Sequence, residues 1–326
     1  MSPLPPPDHD AVRAARERIR SHAVLTPLLS FPVLDERTGG RILIKAENLQ
    51  RTGSFKFRGA FNRLSMIPED ARSRGVVACS SGNHAQGVAE AARLLGMKAT
   101  IVMPVDAPVM KAERTAASGA QIVRYDREKD DREAMALEIV DRTGATFVHP
   151  YDDPGVIAGQ GTAGLEIAEQ AEAMGLRPEA VLVCCSGGGL TAGIALAMEG
   201  TVADATIHPV EPAGFDDYTR SLKAGERLSN PTTGGSVCDA LMAASPGVVN
   251  FEINRRRGAE GLVVSDEEAL DAVAFAFRDL KLVVEPGGAV ALAAVLNGRI
   301  ETRGRTIAVI VSGGNIDAPM LARALG

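Results

Sequence analysis

The chain reads as an α/β protein with mainly parallel sheets covered by helices on both faces. Apolar β-type runs alternate with helical segments from Gly75 onward. These runs are continuously apolar, the mark of strands buried on both faces. The 34 glycines, about a tenth of 326 residues, cluster where the apolar runs end. That placement points to tight strand–helix loops rather than a repeat or a flexible linker.

A charged helical pattern runs over residues 9–22, and Arg41–Ala46 is a strand. Further strands are predicted at 76–79, 99–103, 121–124, 146–149, 180–185, 205–210 and 306–311. Between them, residues 85–95, 131–141 and 161–174 place apolar side chains three and four apart, the helical spacing. The length suits two domains, and 45% hydrophobic content fills a sizeable core. No Pro- or Ser-rich linker divides the chain, so the second domain is expected to be inserted. Residues 75–151 are expected to form the small domain, and 1–74 with 152–326 the large one.

Charge and composition exclude several classes. A net charge of −6 leaves no broad cationic face for nucleic acid. No apolar run approaches the ~18 residues of a membrane span, and the acidic, proline-rich start lacks the pattern of a secretory signal. Four cysteines, Cys79, Cys184, Cys185 and Cys238, show neither metal spacing nor a disulfide framework. A cytoplasmic protein without nucleic-acid or membrane partners is expected.

Three strands run into small-residue loops: Ser80-Ser81-Gly82-Asn83, Ser186-Gly187-Gly188-Gly189 and Ser312-Gly313-Gly314-Asn315. Parallel sheets bind ligands beyond the carboxyl ends of their strands, so the three loops are expected to line one cleft. The middle one is strand, glycine loop, then helix, an arrangement that offers backbone N–H groups and dipole charge to a phosphate. Without a following Lys-Ser/Thr pair it is not a nucleoside-triphosphate loop. Gly187, Gly189 and Ala192, with Glu211 ending the next strand, also satisfy a loose dinucleotide fingerprint, which keeps a nicotinamide dehydrogenase as a rival.

Upstream, Thr52-Gly53-Ser54-Phe55-Lys56-Phe57-Arg58-Gly59 lies between the 41–46 strand and a helix with Phe57, Ala60, Phe61 and Leu64 on one face. Ser54 is expected as the N-cap. Lys56 then falls in the first turn, where dipole and burial both disfavour an ammonium and favour the neutral amine that forms Schiff bases. A solvated lysine beside a glycine turn is the alternative.

The stretch GSFKFRGA resembles the cofactor-lysine motif of the fold-type II pyridoxal-phosphate enzymes, in particular the serine/threonine dehydratase and serine racemase group. SSGNHAQGVA, AGQGTAGLEI, SGGGLTAGIA, EPGGAVALAA and SGGN follow in the family's order, so the resemblance spans the chain from about His9 to its end. Cysteine synthases share the fold but carry Asp-Arg after the lysine, where Phe57-Arg58 stand here.

The resemblance implies that Lys56 holds pyridoxal 5'-phosphate covalently and later removes the substrate α-proton. It places Phe55 on one face of the ring, Asn83 at the ring 3′-hydroxyl and Ser312 at the pyridine nitrogen. Ser186, Gly187, Gly188, Gly189 and Leu190 would cradle the phosphate. Ser80, Ser81, Gly82, Asn83 and His84 would receive the carboxylate of a small amino-acid substrate. A neutral hydroxyl at the ring nitrogen makes a weaker electron sink than a carboxylate would enforce, which suits prompt loss of a β-substituent. The leaving hydroxyl needs a proton, and with no acid side chain evident the cofactor phosphate is the expected donor.

The implied reaction is dehydration and deamination of a β-hydroxy amino acid, L-threonine or L-serine first, giving a 2-oxo acid and ammonia. Serine racemase and 3-hydroxyaspartate dehydratase are the alternatives within the family, and a non-catalytic cofactor carrier is another class. Ser81 matches the racemases' second acid/base and equally fits a residue that only hydrogen-bonds; Tyr151 resembles a dehydratase aromatic rather than the racemase asparagine. Glu211, the Phe215 carbonyl and Asp217 match a divalent-cation site for Mg²⁺ or Ca²⁺ in similar proteins. A homodimer is the family's habit. With the sequence ending at Gly326, a C-terminal regulatory domain is not expected. His84 and His149 read as structural, His208 as lacking a partner, and Arg255-Arg256-Arg257 as a solvated turn.

Overall fold

The computed structural model describes residues 4–80, 82–105, 107, 109–126, 129–232 and 234–326. Among these, ten strands form two sheets: β1 (Leu28–Ser30), β2 (Arg41–Ala46), β3 (Val76–Cys79), β4 (Ala99–Pro104), β5 (Gln121–Tyr125), β6 (Thr146–Phe147), β7 (Ala180–Cys184), β8 (Thr206–Pro212), β9 (Leu262–Val264) and β10 (Thr306–Val311). The larger sheet has the order β1-β2-β10-β7-β8-β9 and the smaller β5-β4-β3-β6. Every pairing is parallel except β1 with β2. The eight strands read from the sequence are present with ends moved by up to two residues. β1 and β9 were not anticipated, because three residues are too short to show a pattern.

The central strands show why apolar runs without alternation fit here. Successive side chains leave a strand on opposite faces. Ile307, Val309 and Val311 of β10 join one core with the Pro286–Leu296 helix, while Ala308 and Ile310 join the other with the Pro154–Ala173 and Gly189–Glu199 helices. Both faces are dry, so both registers must be apolar. The smaller sheet is covered on one side by Phe57, Phe61, Ala85 and Val88, from the Lys56–Ser65 and Asn83–Leu94 helices. Ala136 and Ile139 of the Arg132–Thr143 helix cover the other.

The Lys56–Ser65 helix packs against both the Asn83–Leu94 and Pro154–Ala173 helices, joining the material around the two sheets. Its crossing with Pro154–Ala173 is closed by two glycines. A Cβ on Gly159 would lie 2.6 Å from the Arg58 carbonyl oxygen, and one on Gly59 would lie 2.8 Å from that of Val156. Backbone against backbone leaves no side chain free to yield. Gly159→Val is therefore expected to destabilise the protein by about 2 kcal/mol through overpacking, read as a lowered denaturant midpoint at unchanged slope.

Candidate active site

The carboxyl ends of β3, β7 and β10 open onto one cavity of about 610 Å³, within the range of small-molecule and cofactor sites. Lys56, Ser80, Asn83, Ser186, Gly188 and Ser312 are among the residues that line it, so all three glycine-containing loops contribute.

Lys56 opens the Lys56–Ser65 helix, but Ser54 is not its cap. Phe55 holds the N-cap position with helical backbone angles and no side-chain cap. Ser54 is extended (φ −163°) and bridges Gly313. The Phe55 N–H donates to the Ser312 carbonyl at 3.1 Å, and that of Gly314 to Gly53 at 2.9 Å. A Ser54 pinned to the loop after β10 cannot fold back over the helix. The same pairing ties the lysine to the Ser312 loop. The Lys56 Nζ donates to the Pro150 carbonyl at 2.7 Å and lies 5.2 Å from the centre of the Phe55 ring. Among the described residues, no carboxylate pairs with it. Desolvation lowers its pKa to about 8 from the ordinary lysine value of 10.5.

Asn83 starts its own helix after Gly82. Its Oδ1 accepts from Asn315 Nδ2 at 2.7 Å, so its Nδ2 is the outward donor and meets Glu285 Oε1 at 2.5 Å. Ser80 Oγ accepts from the Gly82 N–H at 3.1 Å. Ser81 lies outside the described residues. His84 is buried, with Nε2 at 3.0 Å from the Val148 carbonyl; burial, then the Lys56 charge, brings its pKa down to about 3. An imidazole kept neutral at physiological pH braces the 148–150 segment that receives Lys56. His149 does related work: its Nδ1 accepts from the N–H groups of Tyr151 and Asp152.

In the middle loop, Ser186 Oγ accepts from Ala243 N–H at 3.1 Å and Leu190 is buried. Gly188 sits at φ +92° as the N-cap of the Gly189–Glu199 helix. A Cβ there would fall 2.1 Å from the Tyr218 ring, so geometry and packing both demand glycine. Tyr151 lies against Gly187, and burial pushes its phenol up to about 12. Ser312 is buried, its N–H at 3.3 Å from the Gly288 carbonyl.

The family model described as pyridoxal-phosphate dependent enzyme matches residues 19–313. The chain belongs to this family. It is 43% identical to an L-threo-3-hydroxyaspartate ammonia-lyase of Pseudomonas sp over 97% of this chain and 98% of that one. It is 40% identical to a serine racemase of Schizosaccharomyces pombe, over 98% and 97%. The crystal structure of a threonine deaminase from T.th. superposes with a TM-score of 0.89 at 44% identity, covering 95% of this chain and 99% of that one.

Family membership displaces the dinucleotide reading, and the geometry agrees. Glu211, which would have met a ribose, is fully buried; its carboxylate accepts from the Tyr218 and Thr219 N–H groups and from Thr219 Oγ1. The cavity fits pyridoxal phosphate on its own terms. A lysine amine of depressed pKa faces an amide donor, a hydroxyl and a glycine cradle at a helix N-terminus.

Sequence reasoning missed several neighbours. No acid side chain was evident as a proton donor, yet buried Glu285, within the EPGG segment, lines the cavity. The Asp239–Leu241 turn and the following residues through Ala244 form one wall without any glycine signature. Arg132 lines the cavity from the start of the helix capped by Asp131 and makes no ion pair among the described residues. Its charge counts against the raised pKa values of Cys79 and Tyr151.

Elsewhere, His208 has partners after all, Thr206 Oγ1 at 2.9 Å and the Glu260 carbonyl at 3.1 Å. Arg255 and Arg256 end a helix and pair with Glu252 and Glu199 rather than forming a turn. The four cysteines are buried free thiols.

The Lys56 amine is expected to label with a midpoint near pH 8 when cofactor-stripped protein is treated with an amine reagent and digested for mass spectrometry. Below that pH the ammonium dominates; above it the neutral, nucleophilic form does. Exposed lysines should not reach half-reaction until about pH 10.4.

Proposed function

We propose that this protein catalyses the pyridoxal-phosphate-dependent dehydration and deamination of a β-hydroxy amino acid, L-threonine or L-serine first, to a 2-oxo acid and ammonia. The observation that carries this reading is the Lys56 amine, unpaired with any described carboxylate and partly neutral near pH 8, inside a cavity lined by Asn83, Ser312 and the glycine loop. The bound cofactor supplies an electron sink for the pair left at the α-carbon. Lys56 would hold it covalently, Phe55 would cover a ring face, Asn83 and Ser312 would meet its 3′-oxygen and ring nitrogen, and Ser186 to Leu190 would hold its phosphate.

The chain's own residues supply the rest. The neutral Lys56 amine takes the α-proton; an ammonium could not. Ser80 and the start of the Asn83 helix present hydroxyl and N–H donors where dipole charge favours a carboxylate, with Gly82 holding the Ser80 hydroxyl oxygen in place. Racemisation would need Ser81 to deliver a proton from the opposite side, as an added activity. The smaller sheet is read as the core of a domain spanning 75–151, which closes over substrate against 1–74 and 152–326 and excludes water.

A second substrate reading rests on Arg132. A guanidinium in the cavity, without an ion pair among the described residues, suits a second carboxylate, and the Pseudomonas relative is named for 3-hydroxyaspartate. Purified protein is to be given L-serine, L-threonine, D-serine and both 3-hydroxyaspartate diastereomers, following oxo-acid release and the chirality of remaining substrate. Lys56→Ala should abolish release. Arg132→Leu should cost ~100-fold in kcat/KM on 3-hydroxyaspartate, the loss of a charged hydrogen bond, while sparing threonine. No oxo acid from any of them would remove the proposal.

A divalent cation is part of the same reading. Among the described residues, no group of three or more His, Cys, Asp and Glu could hold a metal; the expected set is two carboxylates and the Phe215 carbonyl. Both Glu211 oxygens are engaged, but Asp217 Oδ2 is buried without a partner. Burial, aided by Asp217, raises Glu211 well above the carboxylate range, and burial raises Asp217 to about 6. Uncompensated negative charge with an orphaned oxygen fits Mg²⁺ or Ca²⁺. Thermal midpoints should rise with either cation and fall with chelator, and Asp217→Asn should abolish that difference. An unchanged midpoint in wild-type protein would dismiss the metal. A homodimer and a cytoplasmic location complete the reading, the former checked by sedimentation.

A further inference from the structure

Behind the Lys56 helix lies a buried ionic cluster that the reaction does not touch. Arg58, Lys45 and Glu47 are fully buried and Glu166 is 6% exposed. Arg58 makes two forks. Its Nε and Nη2 each reach Glu47 at 2.8 Å, and its Nη1 and Nη2 reach Glu166 at 2.6 and 2.7 Å. Nη1 also meets Thr162 Oγ1 at 3.2 Å, so all five donors are used. Lys45 Nζ completes the set with Glu166 at 2.6 Å and the Thr26 carbonyl at 2.6 Å. Two cations and two anions cancel. Burial alone would raise the Glu47 pKa, but the adjacent Arg58 charge overrides it and keeps the carboxyl ionised.

Such clusters add little stability over well-packed apolar groups, and here the planar guanidinium forks tie specific elements together. The geometry fixed here is telling. Two residues along a helix point roughly 200° apart, so Arg58 faces away from the cavity while Lys56 faces into it. Glu47 begins the turn that leads from β2 to Phe55 and Lys56. Glu166 belongs to the helix that starts at Pro154, just after Pro150, whose carbonyl receives Lys56. The two forks thus grip both elements that meet at the Lys56–Pro150 hydrogen bond, and the glycine-closed crossing lies between them.

We propose that Arg58 is a positioning residue for Lys56: held by Glu47 and Glu166, it sets the start of the lysine helix against the Pro154–Ala173 helix and so places the amine at the Pro150 carbonyl. This rests on Lys56 being the reactive amine. Arg58→Lys keeps the charge but loses both forks. The balanced variant Lys45→Met/Glu47→Gln/Arg58→Met/Glu166→Gln removes every charge together and leaves no ion unpaired, so it supplies a folded protein if the single variant does not fold. In cofactor-stripped protein whose circular dichroism and melting are intact, the Lys56 labelling midpoint should rise from about 8 toward 10.5. In loaded protein, kcat should fall roughly 10- to 100-fold, as a misplacement of about 1 Å does, with KM within about twofold. Folded variants that keep both the midpoint near 8 and wild-type kcat would overturn the proposal. Retention of oxo-acid release by Lys56→Ala would instead overturn the catalytic reading and leave the labelling result standing.

Discussion

Removing one lysine amine from water is the constraint on which the site depends. An ammonium on Lys56 is useless as a nucleophile or base, and among the described residues nothing anionic stands beside it to stabilise the charge. Desolvation therefore lowers its pKa without opposition. A neighbouring carboxylate would have opposed that shift, as Glu166 does at the buried Lys45, where burial still prevails. The fold meets this condition by giving the amine a backbone carbonyl, that of Pro150, as its acceptor. That acceptor tolerates both ammonium and amine, so the hydrogen bond survives the change of protonation state.

The parallel sheets make the cavity possible. Strands buried on both faces leave only their carboxyl ends for chemistry, and β3, β7 and β10 bring three loops from distant sequence to one place. The loop after β10 is tied to the lysine segment and to the Glu285 helix start mostly through backbone: Phe55 to Ser312, Gly314 to Gly53, Glu285 to Gly313. Backbone ties position without introducing charge near the amine. The acidic side chain that reaches in beside Asn83, Glu285, is turned to the Asn83 amide, whose orientation Asn315 fixes from the other side.

This division explains what was legible in the sequence. Loops that need glycine, as Gly188 does under the Tyr218 ring, advertise themselves, and so does a lysine at the head of a helix. The architecture followed from continuous apolar runs. Arg132, Ala243 and the Asp239–Leu241 wall carried no signal, because they reach the cavity through tertiary packing and no local spacing requires their residue types. Ser54 misled for a physical reason. Its type and position suit an N-cap, but a strand-like bridge to Gly313 claimed its backbone first. Of the two His208 partners, the Glu260 carbonyl was unreadable because it lies 52 residues away in sequence, whereas Thr206 is only two residues off on the same strand.

The buried charges divide by the same logic. Around Arg58 each carboxylate faces a cation through a fork, and ionisation is held in place by geometry. Around Glu211 and Asp217 burial is the main upward force on both carboxyls and Asp217 adds repulsion at Glu211, while N–H groups and an asparagine offset only part of it. The first arrangement is complete within the chain. The second leaves Asp217 Oδ2 without a partner, and burial lets both carboxyls hold a proton to higher pH than exposed ones do. What separates them is whether a guanidinium, with its charge fixed at any physiological pH, bonds the carboxylates directly: Arg58 does, whereas Arg220 bonds Asp216 and Asn230 and acts on Asp217 only through space.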